Sequence, residues 1–344
     1  MHTRHAISPP SRSVRGIARA SIARASIARA SIPLACALAC AVLGIACTRN
    51  RVDSGPEGAT TVQHMRVAGI VRTYRLHLPA HFDSSRRVPL VIILHGHGES
   101  AENFERYTGM SDKADAEGFI VVYPQALGDP SEWHTAIDGS NQRDDIRFVR
   151  DIIDLLSRTY PIDPRRIYAA GHSNGGFMTY RLASALSDRL AAVGVTAGSI
   201  GMVDDRGDTI RVAPPRFPVA VIHFHGGADP SVPYNGGPED DGPDNIVSVR
   251  NTIQFWVTAD HCPAVPSARK VSPNGNVIVD TYAPCAAGTA VVLYTIVDGA
   301  HRWPGDDVPW WTFPGPDITD VNATDRMWDF FVAHPKAPAP RTRR

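Results

Sequence analysis

The chain has 344 residues, of which 43% are hydrophobic and 20% charged, and its formal net charge is zero. This is the composition of an ordinary globular protein, and the length is sufficient for a full hydrophobic core. Residues 1–46 carry six arginines and no acidic residue, which leaves 29 basic against 35 acidic side chains in the remainder. A net negative domain has no electrostatic footprint for nucleic acid, so that class of partner is excluded.

The first 47 residues form a basic and then apolar leader. The repeat RASIARASIARASI precedes the run IPLACALACAVLGIAC, whose roughly 15 small apolar residues suit a secretory signal better than a membrane span of about 20. An uncleaved anchor helix is the alternative. The run ends at Cys47 after LGIA, which resembles a bacterial lipoprotein box with Gly44 in place of the usual aliphatic residue. We therefore expect export to the periplasm, cell envelope or medium. Membrane contact is expected only through a lipid on Cys47, with residues 48–64 as a tether.

From about residue 65, short apolar runs alternate with helical patterns. Continuous hydrophobic runs predict buried parallel strands at 88–96, 119–124, 166–171, 191–198, 219–226 and 290–299. Apolar residues at helical spacing predict helices at 144–160, 175–186 and 246–259, and a last helix that contains Ala323, Met327, Phe330 and Phe331. The alternation predicts one α/β domain over 65–334, with a mostly parallel central sheet and helices on both faces, followed by a disordered tail at 335–344.

The sequence GHSNG at residues 171–175 places a serine between a predicted strand and a predicted helix. In a chain with 28 glycines the five letters alone are weak evidence, but this setting is that of the sharp turn that exposes a nucleophilic serine. Gly171 and Gly175 suit such a turn, because it brings backbone segments too close for a β-carbon. We therefore predict that Ser173 is a nucleophile on an α/β-hydrolase fold.

A serine nucleophile needs a base and a carboxylate that orients the base, and on this fold the chain order is Ser, then Asp or Glu, then His. Asp229 follows the predicted strand at 219–226, and His301 follows the one at 290–299. These two residues are the predicted partners of Ser173. Rival carboxylates, which the pattern places in polar loops or turns, are Asp204, Asp205, Asp208 and Asp298.

Two backbone N–H groups are predicted to form the oxyanion hole that stabilises the developing negative charge. One belongs to Asn174, directly after the nucleophile, and the other to His97, after the strand at 88–96. Ser100 lies in the same loop as His97, but it lacks the elbow. It is predicted to cap the next helix instead.

Cys262 and Cys285 are the two cysteines outside the leader. In an exported protein an even pair predicts a disulfide, and two buried free thiols are the alternative.

Four segments resemble the secreted esterases grouped with poly(3-hydroxybutyrate) depolymerases and feruloyl esterases: LHGHGES, DDIRFVRDIIDLLSRTYPIDPRRIYAAGHSNGGFMTYRLA, HGGADPSVPYNGG and DGAHRWPG. The resemblance runs from about Val67 to His334, and the motifs occur in order. It implies that Ser173, Asp229 and His301 are the triad of a serine carboxylic-ester hydrolase. It also implies that the two cysteines flank a hairpin before the histidine strand.

The expected substrates are small or oligomeric soluble esters, such as feruloyl or other aryl esters and hydroxybutyrate oligomers. No separate binding module or long lid insertion is expected, and the longest candidate segment, 235–244, is short and acidic. Trp303, Trp310 and Trp311 are predicted either to form a flat wall against the substrate or to pack in the core. His97 and Arg302 depart from the commoner residues of the resembled family, which bears on substrate preference. No cofactor is expected, and the sequence predicts no oligomeric state.

Two other functions compete with this one. His95-x-His97 and His223-x-His225 each place two imidazoles on one face of a strand end, a spacing that can chelate zinc in a metal-dependent hydrolase. A hydrolase fold that has lost catalysis and serves as a binding module is the second alternative. The serine esterase is preferred, and no metal is expected, since no triad member is missing and histidines at strand ends more often hydrogen-bond neighbouring loops.

Overall fold

The structure is a computed structural model, and it describes residues 57–135, 144–204, 206–238, 245–305 and 320–338. Cys47 with the leader, Asp205, residues 239–244 of the acidic segment, Trp310 and Trp311 lie outside the described residues. Within those ranges, no helix has the length and apolar character that crossing a membrane requires.

Sixteen strands and six α-helices are found in the described ranges and are numbered in chain order. The strands are β1 (Ala59–Val67), β2 (Ile70–Leu78), β3 (Val88–Leu94), β4 (Ile120–Pro124), β5 (Leu127–Gly128), β6 (Ser131–Glu132), β7 (Ile162–His172), β8 (Ala192–Thr196), β9 (Gly201–Val203), β10 (Thr209–Arg211), β11 (Ala220–Gly226), β12 (Gly237–Pro238), β13 (Asn245–Ile246), β14 (Ala268–Val271), β15 (Val277–Tyr282) and β16 (Val291–Ile296). The helices are α1 (Ala101–Thr108), α2 (Met110–Glu117), α3 (Asp145–Thr159), α4 (Asn174–Ala185), α5 (Val249–Ala259) and α6 (Ala323–Ala333).

Ten of these strands form one sheet in the order β1-β2-β4-β3-β7-β8-β11-β16-β15-β14. The six central strands, from β4 to β16, run parallel to one another. At the two edges of the sheet, β1 and β2 on one side and β14 and β15 on the other pair antiparallel with their neighbours. The predicted α/β class with a mostly parallel sheet is therefore confirmed.

Helices cover both faces of this sheet, as the buried central strands require. Leu90, Ile92 and Leu94 of β3 belong to a core cluster that includes residues of α3, α4 and α5. The intervening Val91 and Ile93 belong to a second cluster, which includes residues of α1, α2 and α6. Successive side chains of a strand point to opposite faces, so three helices pack on each face of the sheet.

Two boundaries predicted from the sequence are wrong. Residues 59–64 were assigned to the tether, but they belong to β1, which pairs with β2 from Ala59 opposite Leu78. The start of β1 is polar and half-exposed, so its composition resembles a linker. The predicted tail also begins as packed chain, because Lys336 donates its backbone N–H to the Arg165 carbonyl at 2.8 Å and its Nζ to the Leu190 carbonyl at 3.1 Å.

Cys262 and Cys285 form a disulfide in the structure, with a sequence separation of 23. The bond joins the chain just after α5 to the segment just before β16 and encloses the β14–β15 hairpin. A hydrogen bond of 2.8 Å from the Ala286 N–H to the Asp260 carbonyl reinforces the same junction. The strand that leads to His301 is therefore tied covalently to the end of α5.

We expect the double variant Cys262→Ala/Cys285→Ala to fold with a free energy of unfolding about 3 kcal/mol lower than that of the wild type, because the unfolded chain is no longer constrained by a closed loop. Urea denaturation of the mature protein measures the difference, and reduced wild-type protein is the matched control. Two alkylatable thiols in unreduced, unfolded wild-type protein would contradict the prediction.

Candidate active site

The turn between β7 and α4 holds Ser173 in a backbone conformation that L-residues rarely adopt, with φ 52° and ψ −125°. The Ser173 N–H donates to the carbonyl of Thr196 at 3.0 Å, at the end of the neighbouring strand β8. Strained backbone of this kind persists only where the surroundings determine it. A strained residue between a strand and a helix is what the predicted nucleophile elbow requires at Ser173.

The two glycines of the turn are needed because the backbone is crowded there. A β-carbon on Gly171 would lie 2.3 Å from the carbonyl oxygen of Gly175. One on Gly175 would lie 2.2 Å from the carbonyl oxygen of Leu94, at the end of β3. No side chain fits at either distance. Glycine at 171 therefore lets the turn close on itself, and glycine at 175 lets it approach the end of β3.

Asn174, directly after Ser173, is the first residue of α4, and its N–H has no carbonyl partner within the helix. Its side chain is held against the loop after β6. The Trp133 N–H donates to Oδ1 at 2.8 Å, and Nδ2 donates to the Trp133 carbonyl at 3.3 Å. The indole Nε1–H of Trp133 donates to the His95 carbonyl at 2.9 Å, so these contacts connect α4 to the end of β3.

Asp229 and His301 are brought together by the loops that follow β11 and β16. His301 Nδ1 lies 2.8 Å from Oδ2 of Asp229, whose side chain is buried. The other oxygen, Oδ1, accepts the N–H groups of Ser231 and Val232, both at 2.9 Å. Burial raises the pKa of the Asp229 carboxyl, but the hydrogen bond and charge of His301 and the Val232 N–H outweigh it, so the pKa lies below its usual value. Asp229 is therefore an ionised acceptor for His301.

His172 forms the surface against which the His301 ring rests, with the two ring centroids 4.6 Å apart. Its Nδ1 hydrogen-bonds with Oγ1 of Thr196 at 2.8 Å. Burial, with the charges of His301 and His225, holds the pKa of His172 well below its usual value, so the ring is neutral. Because His172 immediately precedes Ser173, this contact brings His301 close to the turn that carries Ser173, although within the described residues the Ser173 hydroxyl makes no hydrogen bond to His301. Such bonds are often long without substrate.

The loop after β3 contains the other predicted N–H donor of the oxyanion hole. His97 is exposed, and among the described residues its backbone N–H has no partner. The N–H groups on either side are used, since Gly96 donates to Glu99 Oε2 at 2.7 Å and Gly98 donates to the Ser131 carbonyl at 2.8 Å. These bonds fix the loop and leave the His97 N–H available to a ligand.

Glu99 is a residue of this site that the sequence analysis missed. A β-carbon on Gly96 would lie 3.1 Å from Oε2 of Glu99 and 3.5 Å from Cβ of Ser173, so the carboxyl and the serine border the same small space. Burial raises the pKa of Glu99, and the Gly96 N–H and the charge of His301 partly offset that effect. The motif LHGHGES contains the residue, but nothing in its spacing indicates where the side chain points.

Three of the four histidines that suggested a metal site, His95, His223 and His225, are engaged in hydrogen bonds. His95 is buried, with Nδ1 bonded to the Gly96 carbonyl at 2.7 Å and Nε2 accepting the Ala126 N–H at 3.1 Å, and burial lowers its pKa to about 4. His223 and His225 bond to each other through Nε2 and Nδ1 at 3.0 Å. In the described part of the chain, no group of three His, Cys, Asp or Glu side chains could hold a metal ion. These hydrogen bonds occupy the nitrogens that a metal would need, so the pairs do not support the metal-dependent alternative.

Trp303 does not form the wall that was one of its two predicted roles. Its side chain is buried, its Nε1–H donates to Oγ1 of Thr324 at 3.0 Å, and its ring meets Phe104 edge to face at 5.8 Å. Phe104 belongs to α1 and Thr324 to α6, so the indole packs between these two helices. Trp303 is therefore a core residue beneath the site.

The remaining predictions for this region concern polar residues. Ser100 caps α1, as predicted, and accepts the Asn103 N–H at 3.1 Å. Among the rival carboxylates, Asp204 accepts the N–H groups of Arg206 and Asp208 within its own turn, and Asp298 is exposed in a turn after β16. Neither contacts His301.

Residues 72–222 match the family described as Esterase PHB depolymerase. The protein NocK of Nocardia uniformis subsp. tsuyamanensis, which is named as an esterase, is 31% identical over 289 residues, covering 79% of this chain and 80% of NocK. Feruloyl esterase B of Piromyces equi is 29% identical over 240 residues, covering 68% of this chain and 43% of that protein.

Among solved structures, an acetyl xylan esterase from Aspergillus awamori has a similar fold. The TM-score is 0.57 at 13% sequence identity, over 79% of this chain and 99% of that one. At this identity the likeness concerns the fold, which is the α/β-hydrolase fold predicted from the sequence. The relationship to NocK extends over most of both chains and agrees with the family match. The chain therefore belongs to the PHB depolymerase family of esterases, and it is a carboxylic ester hydrolase.

Proposed function

We propose that the chain hydrolyses its esters through an acyl-enzyme on Ser173. The serine Oγ attacks the ester carbonyl carbon while His301 takes its proton, and the tetrahedral intermediate then expels the alcohol, which receives that proton from the imidazolium. Water, deprotonated by the same imidazole, attacks the acyl carbon. The carboxylic acid leaves, and Ser173 recovers its hydrogen.

The observation that carries this proposal is the 2.8 Å hydrogen bond between His301 and Asp229 next to a serine at a strained elbow. An ionised carboxylate accepts only, so His301 donates from Nδ1 and its Nε2 is left as the base. Asp229 cannot turn away, because two backbone N–H groups hold its second oxygen. The carboxylate thus orients the imidazole and stabilises the imidazolium that forms.

The N–H groups of Asn174 and His97 supply the proposed oxyanion hole. Asn174 begins α4 and His97 lies in the loop after β3, and the groups next to both are fixed by hydrogen bonds, so little reorganisation is needed as the negative charge develops. The N-terminus of α4 adds a favourable dipole at the same place.

We expect Ser173→Ala to fold like the wild type and to lose about 10⁴-fold or more in kcat, because the members of a triad act as a unit. Hydrolysis of a soluble aryl ester and labelling with a fluorophosphonate measure the loss. Ser184→Ala is the matched control, since this serine on α4 bonds only to the Ala213 carbonyl. Ser173→Ala activity within tenfold of the wild type would refute the assignment.

Glu99 is proposed to hold the oxyanion loop through its acceptor oxygen and not through its charge. The oxygen takes the Gly96 N–H, and the backbone of Glu99 is itself anchored, because its carbonyl accepts the Ser131 hydroxyl at 2.5 Å. A negative charge at this place would oppose the oxyanion, whereas a hydrogen-bond acceptor of the same shape would not.

We therefore expect Glu99→Gln, which keeps an acceptor oxygen, to retain kcat/KM within about threefold, and Glu99→Ala to lose about tenfold or more because the loop is no longer fixed. Steady-state kinetics on one aryl ester compare the two variants. Equal losses in both would mean that the charge matters and the hydrogen bond does not.

Small or oligomeric soluble esters are the proposed substrates, such as feruloyl esters or hydroxybutyrate oligomers. The names of the relatives support this range, since one is a feruloyl esterase and the family description refers to PHB depolymerase. A wall for aryl groups is one of the two roles predicted for three tryptophans, and the packing of Trp303 in the core removes one of them from such a wall.

A comparison of kcat/KM for methyl ferulate, a hydroxybutyrate trimer, a long-chain triglyceride and polymer granules tests this range. We expect one of the two soluble esters to be the best substrate, because the sequence predicts no long lid insertion and its longest candidate segment, 235–244, is short and acidic. A higher value on the granules or on the triglyceride would contradict the proposal.

Export is also proposed, with a lipid on Cys47 as the route to the cell envelope. The basic and apolar leader supports it, and so does the disulfide, since disulfides persist in oxidising compartments.

A further inference from the structure

Three buried polar side chains form a hydrogen-bonded chain behind the Asp229 loop. The hydroxyl of Tyr180, on α4, lies 2.7 Å from Nδ1 of His223, on β11. Nε2 of His223 lies 3.0 Å from Nδ1 of His225, and Nε2 of His225 lies 2.8 Å from the carbonyl oxygen of Val232. Each of the three side chains is at most 1% exposed. Neither the triad nor the oxyanion hole uses them.

The direction of every hydrogen bond in this chain follows from its last acceptor. A carbonyl oxygen cannot donate, so His225 must carry its proton on Nε2. A neutral His225 then accepts at Nδ1, which requires His223 to donate from its own Nε2 and to accept at Nδ1 from the Tyr180 hydroxyl. The reverse direction would require a doubly protonated His225 in a fully buried position.

Burial favours the neutral forms that this direction requires. It holds the pKa of His223 well below its usual value and lowers that of His225, although Asp229 and the Val232 carbonyl act in the opposite sense on His225. Burial likewise raises the pKa of Tyr180, which keeps the phenol as a donor. All polar atoms of the three side chains are thereby satisfied, with one donor and one acceptor at each contact.

The chain ends at the loop that carries Asp229. The residue whose carbonyl His225 binds, Val232, also donates its N–H to Oδ1 of Asp229 at 2.9 Å. Nε2 of His225 lies 3.6 Å from Oδ2, the oxygen that accepts from His301. His225 therefore fixes the turn around the carboxylate and places a polar N–H edge beside it, opposite His301.

We propose that His225 is a positioning residue for Asp229, and that Tyr180 and His223 hold His225 in the Nε2–H tautomer that this role requires. The inference rests on the proposed triad. Without the N–H of His225, the Val232 carbonyl loses its partner and the turn is free to rotate. Oδ2 is then no longer aimed at Nδ1 of His301, so the base is poorly oriented at the moment of proton transfer.

If these hydrogen bonds had a purely structural role, substitutions that break them would lower stability alone. A positioning chain lowers kcat while KM and the folded fraction stay close to wild type, because His225 does not touch the substrate. The tautomer requirement can also be tested by a measurement that does not depend on enzymatic activity. Two-bond ¹H–¹⁵N correlation spectra of ¹⁵N-histidine-labelled mature protein report the protonated nitrogen of each imidazole directly.

The spectra of the wild type should assign both His223 and His225 to the neutral Nε2–H tautomer at pH 7. Tyr180→Phe removes the first donor, so the tautomer preference of His223 should relax and its signals should shift. Tyr168→Phe is the matched control, because Tyr168 is also buried and its hydroxyl has no partner in the described chain. A charged or Nδ1–H form of either histidine in the wild type would overturn the inference.

Kinetics test the positioning role with two substitutions at one site. His225→Leu should lower kcat by about tenfold or more with KM within about threefold, and His225→Gln, which can donate to the Val232 carbonyl, should recover most of the loss. Urea denaturation confirms that each variant is folded under the assay conditions. Full kcat in folded His225→Leu, together with inactive Ser173→Ala, would overturn this inference and leave the proposed function standing. Activity in Ser173→Ala would overturn the proposed function itself.

Discussion

The close approach of the turn at 171–175 to the end of β3 is the constraint on which the site depends. At this crossing a β-carbon on Gly175 would lie 2.2 Å from the carbonyl oxygen of Leu94, so the main chains themselves are in contact. The crossing fixes the first turn of α4 against the loop that holds His97 and Glu99. It also forces Ser173 into its strained conformation, since the chain must pass from strand to helix within one residue. The remaining hydrogen bonds of the site orient side chains on this backbone framework.

Parallel strands place the rest of the site at the same edge. β3, β7, β11 and β16 are neighbours in the sheet or separated by one strand, and each is followed by a loop with one part of the constellation. The two loops that carry Asp229 and His301 come from adjacent strands, which is why a 2.8 Å contact joins residues 72 positions apart. Fold and chemistry are linked here because the carboxyl ends of parallel strands converge.

Local signals in the sequence account for the features that were predicted. The elbow is encoded within five residues, and buried strands are recognisable as continuous apolar runs, so Ser173, Asp229 and His301 could each be placed after a strand. Glu99 could not be found in this way, because its importance depends on where a side chain turns within a loop. The hydrogen-bonded chain from Tyr180 to Val232 joins a helix to a strand 43 positions away, and no spacing rule covers such a contact. β1 was missed because its first residues alternate weakly. For Trp303 the sequence left a substrate wall and core packing open, and the structure shows core packing.

The side chain of Asn174 has a consequence for how the protein reaches its working state. Its two bonds to the Trp133 backbone join segments 41 residues apart, and α3 and β7 lie in the chain between them. Each of these elements can form from local contacts, whereas the junction between Trp133 and Asn174 closes only after α3 and β7 have docked. The loop at Trp133 also carries the indole that reaches the His95 carbonyl. A competent site therefore depends on the docking of α3 and β7 and not on the local contacts of the turn alone.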